Sequence, residues 1–264
     1  MLERLASTLH GIFGWFSTPL PMLTLEDDAV RFVCISDTHN THRSLANLPG
    51  GLPSGDVLLH AGDFTKDGTE EEIKDFNTWL GEIKSQFKEI IVIGGNHDLS
   101  LDKNYPGTKI DEESKGKGKG FLSNATHVLE TETVEVFGVK IFGSPHTPHI
   151  PKIAKMAFGK ERGEESKKVW DKIEEGTDIV MAHGPPHGML DQTFFGMSVG
   201  CEELRKAVDR VKPKFCVFGH IHEDYGVEVC SETNDTTTFI NAASVSLTYK
   251  CSHQPIVFDI IPRK

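Results

Sequence analysis

Paired cysteines at metal-ligand spacing are missing from this chain of 264 residues: its five Cys, at positions 34, 201, 216, 230 and 251, are odd in number and include no Cys-x-x-Cys. That argues against a structural zinc site built on thiolates and against a disulfide framework. With Cys34 and Cys216 inside apolar runs, where a reduced thiol acts as a small hydrophobe, a reducing, cytoplasmic location is the expectation. Basic charge is scarce as well. Against 39 Asp and Glu stand 28 Lys and Arg, only seven of them Arg, for a formal net charge of -11. The chain therefore has no electrostatic footprint for nucleic acid, and large polyanionic partners are disfavoured. Uninterrupted apolar runs of membrane-spanning length are absent. The stretch from Leu5 through Leu23 is broken by His10, two Pro and several Gly and Ser, so no transmembrane segment is expected. Within it, Ile12-Phe13-Gly14-Trp15-Phe16 is expected to pack against the domain or stay unstructured rather than to touch a membrane. No internal repeat is evident.

What the chain does contain is a recurring arrangement. Asp37-Thr38-His39, Gly62-Asp63, Gly95-Asn96-His97-Asp98, His183-Gly184 and Gly219-His220-Ile221-His222 each follow an apolar run of strand length. If parallel strands bring their C-terminal ends to one edge, carboxylate, amide oxygen and imidazole converge there. Those donors suit Mn²⁺, Fe²⁺ or Zn²⁺, and Mg²⁺ remains open. Asp37 with His39, and His220 with His222, are two apart, so in an extended segment each pair points to one side. With Asp63, Asn96 and His183 they make seven candidate ligands, too many for one tetrahedral ion and suited to two ions sharing a bridge. Two ions about 3.5–4 Å apart clamp the attacking and leaving oxygens of a displacement at phosphorus, and an oxygen held between them is available as hydroxide near neutral pH. Hydrolysis of a phosphate ester is the expected chemistry.

The element pattern agrees. Candidate strands are Phe32–Ser36, Val57–Ala61, Ile90–Ile93, Val139–Phe142, Ile179–Ala182 and Phe215–Phe218, most of them continuous apolar runs as in strands covered on both faces. Ile73, Phe76, Leu80, Ile83 and Phe87 keep helical spacing behind a capping box of Thr69 and Glu72. Leu204, Ala207, Val208 and Val211 mark a second helix, and Val169, Trp170 and Ile173 a third. Phe137-Gly138 reads as a hairpin turn within Thr133–Phe142, and Gly226–Ile261 should supply further strands. Lys115 through Gly120 alternates Lys and Gly; with no strand feeding it and no helix opening after it, it reads as a surface loop rather than a phosphate cradle. Residues 31–264 are expected to form one α/β domain after an extension at 1–30.

In that order, Asp-x-His, Gly-Asp, Gly-Asn-His-Asp, Ala-His-Gly and Gly-His-x-His resemble the five-part signature of the calcineurin-like metallophosphoesterases, over roughly Arg31 to Ile260. The contexts Phe32 to His39, Leu58 to Thr65 and Phe218 to Glu223 more narrowly resemble the metallophosphoesterase domain-containing proteins. The resemblance implies two stacked mixed β-sheets flanked by helices. It also implies one ion on Asp37, His39, Asp63 and His222, and a second on Asp63, Asn96, His183 and His220, with Asp63 bridging. His97 is left facing the substrate, where a proton donor serves the leaving alkoxide. Asp98 is expected to pair with His97 and hold its tautomer.

The remaining histidines, His10, His42, His60, His127, His146, His149, His187 and His253, read as structural or surface residues, His60 as a buried, hydrogen-bonded one. His42 and the segment from Pro145 to His149 are expected on loops at the same edge, within reach of substrate. Asp63-Phe64-Thr65-Lys66-Asp67-Gly68 lacks the Asp-Arg-Gly of the superfamily's protein phosphatases. Small phosphodiesters are therefore expected ahead of phosphomonoesters or phosphoproteins, and cyclic nucleotides among them are what the family resemblance implies. The reading of another class is a nucleotide-binding adapter that keeps the fold and turns over slowly; loss of the first His of Gly-His-x-His would favour it, and His220 occupies that place.

Overall fold

In the chain's buried strands, alternate side chains serve different cores, and that alternation builds the layers. Residues 28–149, 156–230 and 236–263 are described by a computed structural model; the segment from Leu5 to Leu23 lies outside them. In chain order the elements are β1 (Val30–Ile35), β2 (Val57–His60), α1 (Glu70–Ile83), β3 (Glu89–Ile93), β4 (His127–Leu129), β5 (Glu132–Val136), β6 (Val139–Ser144), β7 (Thr147–Pro148), β8 (Gly159–Lys160), α2 (Glu164–Trp170), β9 (Ile179–Ala182), α3 (Glu202–Val211), β10 (Phe215–Phe218), β11 (Gly226–Cys230), β12 (Thr237–Asn241) and β13 (Ile256–Ile260). One sheet runs β13-β1-β2-β3-β4 and the other β11-β12-β10-β9-β6-β5. Within them β1, β2, β3 and β4 are mutually parallel, as are β6, β9, β10 and β12, while β13, β11 and β5 are antiparallel edges.

Phe32, Cys34, Leu59, Ile91 and Ile93 of the first sheet meet Ile141, Ile179, Met181, Val217 and Ile240 of the second. Their alternates Val33, Ile35, Leu58 and Val92 pack under Ile73, Phe76 and Leu80 of α1. Phe142, Val180, Cys216 and Phe218 pack under Val169 and Trp170 of α2 and Leu204 and Val208 of α3. Parallel strands covered on both faces explain why the sequence shows unbroken apolar runs.

All six expected strands form, within a residue or two at their ends. The capping box is present, with the Thr69 side chain accepting from the Glu72 amide and the Glu72 side chain accepting from the Thr69 amide. The first helix stops at Ile83, and Phe87 instead leads into β3, buried beside the same core. Phe137 and Gly138 turn the β5–β6 hairpin with φ of 50° and 72°, the paired left-handed geometry of a type I′ turn. Lys115 and Lys119 are tied to Glu112 and Glu132 on a surface loop. No helix among the described residues is long and apolar enough to cross a membrane. All five cysteines are free thiols.

His60 is fully buried, its Nε2 3.1 Å from Thr38 Oγ1, and burial pushes its pKa down to about 3. A ring kept neutral in the fold but protonated in the unfolded chain weakens stability as pH falls below about 6.5. Between pH 7 and 5 its share is about 2 kcal/mol. Urea unfolding of the wild type and of His60→Gln should therefore differ by that amount in how much stability each loses on acidification. Equal losses would contradict it.

Candidate metal centre

Each polar cluster begins where a parallel strand ends: β1 delivers Asp37 and His39, β2 Asp63, β3 Asn96 and His97, β9 His183, and β10 His220 and His222. The two sheets are stitched at this edge by a parallel bridge between Ser36 and Ala243 and by the Ser244 amide donating to the Ser36 carbonyl at 2.8 Å. Four of these residues have left-handed backbone, with φ of 51° at Asp37, 39° at His39, 52° at Asp63 and 70° at His220. Such a conformation costs a non-glycine residue roughly 1–3 kcal/mol and persists where surrounding bonds over-determine it. Here they do: the Asp37 amide donates to the Gly62 carbonyl, the His39 amide to the Asp63 carbonyl and the Gly219 amide to the His183 carbonyl, at 2.9–3.0 Å. Backbone approach is so close that a Cβ on Gly219 would strike the Asp37 carboxylate, and one on Gly95 the Asp63 carboxylate.

Two groups of side chains converge, each able to hold a metal ion: Asp37 with His39 and His222, and Asp63 with His183 and His220, the candidate ligand atoms of each group lying within 4.8 Å of one another. His39 Nε2 and His222 Nε2 face each other at 3.3 Å, and Asp37 Oδ1 is 3.3 Å from His222 Nε2. Asn96 Oδ1 lies 2.9 Å from His183 Nε2. Asp63 stands between the groups, with Oδ2 3.7 Å from His39 Nε2 and 3.3 Å from His183 Nε2. Its other oxygen is occupied, accepting from the His97 amide at 2.7 Å. Backbone carbonyls fix the rings: His39 Nδ1–H donates to Thr65 O at 3.0 Å and His183 Nδ1–H to Ala61 O at 2.9 Å. Such bonds set the tautomer and aim Nε2 into the centre, the orientation a metal ligand needs.

The electrostatics point the same way. Burial alone would raise Asp37, yet the hydrogen bond from His222 and the charge of His183 hold it below the usual carboxylate range. Asp63 is also held low against burial, chiefly by His183. Burial would depress His183, but the Asp63 carboxylate pushes it up to about 9, and the hydrogen bond to Asp37 raises His222 against its burial. Burial, with His183 beside it, pushes His220 down to about 4. Two buried, ionised carboxylates side by side demand positive charge. Divalent cations would answer that demand by replacing the protons on the imidazoles.

His97 lies at the same edge, its ring edge-on to His39 with centroids 4.9 Å apart, and its Nδ1–H donates to Lys66 O at 2.7 Å. Asp98 is not its partner, contrary to the sequence expectation. The Asp98 carboxylate is buried beneath the loops and accepts from the amides of Asp63, Gly95 and Thr65 at 2.8–2.9 Å and from the Thr65 hydroxyl at 2.6 Å. The side chain of Asp98 thus ties the loop after β2 to the loop after β3. Burial, with the Asp63 charge, pushes it up to about 7 against those bonds. His42 takes the structural reading and not the substrate-facing one: it packs on Phe76 and Trp79 of α1 with Nε2 3.2 Å from Asp75. His146 is engaged by the Thr131 and Ser144 hydroxyls. A residue the sequence reading missed is Tyr249, whose ring lies edge-on to His39 and His222 with centroids 4.8 and 5.4 Å away. Nothing in its spacing marks it, because only the β12–β13 connection brings it back to this edge.

Comparison with known proteins supplies a further line. A family model described as calcineurin-like phosphoesterase matches residues 30–224. The chain is 39% identical over 245 residues to Metallophosphoesterase domain-containing protein 1 of Homo sapiens, covering 87% of this chain and 71% of that protein. Among solved structures, phosphopantetheinyl hydrolase from Mycobacterium tuberculosis superposes with a TM-score of 0.55 at 15% identity, covering 90% of this chain and 98% of the other. Purple acid phosphatase PPD1 from yellow lupin gives 0.54 at 12% identity, covering 90% and 50%. At such identities the two structures share the fold.

Proposed function

This chain belongs to the calcineurin-like phosphoesterase family, and from that premise we propose that it is a metal-dependent phosphodiesterase that holds two divalent ions and hydrolyses small phosphodiesters, cyclic nucleotides among them. The observation that carries the reading is Asp63, whose Oδ2 stands between His39 and His183 and so faces both ligand groups. Asp37, His39, Asp63 and His222 would hold one ion, and Asp63, Asn96, His183 and His220 the other. Mn²⁺ suits this mixture of carboxylate, amide and imidazole. When bound, such a pair supplies Lewis acidity and an activated water.

The chain's own groups account for the rest. Lys66 O holds the proton of His97 on Nδ1, which leaves Nε2 to carry a proton to the departing alcohol oxygen. Ala61 O and Thr65 O keep His183 and His39 aimed inward. No Arg follows Asp63: Phe64 stacks on Phe76 and the Thr65 hydroxyl is spent on Asp98. Arg43 is committed to Asp75 and Glu82, and Arg162 to Glu202. A dianionic monoester favours a bidentate guanidinium clamp, whereas a diester carries one negative charge and does without it. His220 completes the second group, which supports turnover over a binding-only role.

Stripping the metal should abolish turnover, and restoring Mn²⁺ should return it, with diesters hydrolysed faster than matched monoesters. His220→Gly should cost 10–100-fold or more in metal affinity or in activity at limiting metal. It should still fold, because Gly accepts the left-handed backbone at that position without strain. Full activity of His220→Gly at limiting metal, or undiminished turnover after stripping, would contradict the reading.

A further inference from the structure

Between β9 and α3 the chain makes a tight hairpin. Gln192 bridges Ser198, the Thr193 amide donates to the Met197 carbonyl at 3.0 Å, and the Gly196 amide to the Thr193 carbonyl at 2.7 Å. Its base is pinned by the buried Asp191, which accepts from the Gly188 and Gly200 amides at 3.0 Å. Its flank is tied to the last ligand motif: the Gln192 amide donates to Asp224 Oδ2 and the Phe194 amide to Glu223 Oε1, both at 2.7 Å. Glu223 and Asp224 directly follow His222. The tip is thus held against the residues that follow His222, and what it offers to solvent is apolar: Phe194 is 74% exposed, Phe195 82% and Met197 56%, with the two Phe rings edge to face at 5.5 Å.

Three large apolar side chains so exposed on a braced loop call for an occupant. On His222 itself lies the ring of Tyr249, 43% exposed, which keeps a φ of 57° because its amide donates to Ser246 O at 2.8 Å in a turn closed by the Ser246 amide on Lys250 O. A charged centre with Tyr249 against His39 and His222, and an exposed apolar tip tied to the residues after His222, suits a ligand that is anionic at one end and apolar at the other. We propose that Tyr249 and the Phe194–Phe195–Met197 tip bind an apolar alcohol arm, aryl or alkyl, of the phosphate ester, so that the preferred substrates are diesters with one hydrophobic arm. The proposal rests on the phosphoesterase reading and names its substrate class.

The test uses the Mn²⁺-loaded full chain and two diesters with the same leaving group, 4-nitrophenyl phenyl phosphate and 4-nitrophenyl methyl phosphate. After correction for their rates in hydroxide alone, wild-type kcat/KM should favour the phenyl ester by about 10-fold or more, the scale of burying a ring. The double variant Phe194→Ser/Phe195→Ser and, separately, Tyr249→Ala should each shrink that ratio, the double variant to within about twofold of unity. The Kd of phenylphosphonate against that of methylphosphonate should follow the same pattern without turnover. A wild-type ratio near one overturns the proposal. So does a preference that survives in both variants, or a tip that binds neutral phosphatidylcholine vesicles while the ratio stays unchanged on its removal. If wild type hydrolyses neither ester yet prefers phenylphosphonate, the hydrolase reading fails and the binding proposal stands.

Discussion

Replacing His97 by Ala should lower kcat by roughly 10²–10⁴-fold while the protein keeps its full complement of metal. The ring touches one candidate ligand, His39, edge-on, and that ring is held in place by Thr65 O; Asp63 receives the His97 backbone amide, which Ala retains, and Nδ1 is spent on Lys66 O. What disappears is the proton that Nε2 can hand to the leaving oxygen. The deficit should therefore be largest for alkyl esters, whose alkoxides depart poorly, and shrink for nitrophenyl esters, whose leaving group needs no proton. Steady-state kinetics over a series of leaving-group pKa values, with metal content measured alongside, checks this. An equal loss across the series, or a lost ion, would make His97 a phosphate binder or a ligand.

Asp98→Ala should fail differently. Its carboxylate satisfies three buried amides and one hydroxyl from the segments that carry Asp63, Thr65 and Gly95. Each buried donor left without an acceptor costs about 1–3 kcal/mol, and a network of this size on the order of 3–5 kcal/mol after relaxation. The loops that set Asp63 and Asn96 would loosen together, so metal affinity should fall with stability. Chemical denaturation of metal-stripped protein isolates the structural part. An Asp98→Ala variant that unfolds at the wild-type midpoint and loses only kcat would restore Asp98 to the catalytic role that its place next to His97 suggested.

That contrast marks how far the sequence carries. Seven ligand candidates were legible because each lies one to four residues beyond an apolar run, and runs buried on both faces betray themselves without any partner being known. The capping box at Thr69 and the turn at Phe137-Gly138 were legible for the same local reason. Which strand joins which sheet was not, since period-two patterning tells a strand's faces and not its neighbours. Asp98 was misassigned because adjacency in sequence says nothing about direction in a turn. His42 proved structural and out of the substrate's reach because a residue three positions beyond a ligand candidate can turn under a helix instead of over the site. Tyr249 and the Phe194–Phe195 tip went unread because both matter only through long-range contacts with His39, His222 and Glu223.

The measurement closest to the central claim is the number of ions the chain holds. Elemental analysis of protein loaded with Mn²⁺ and freed of excess should give two ions per chain, since Asp63 belongs to one group of candidate ligands and faces His39 of the other. A content that never exceeds one ion per chain under saturating metal would contradict the account.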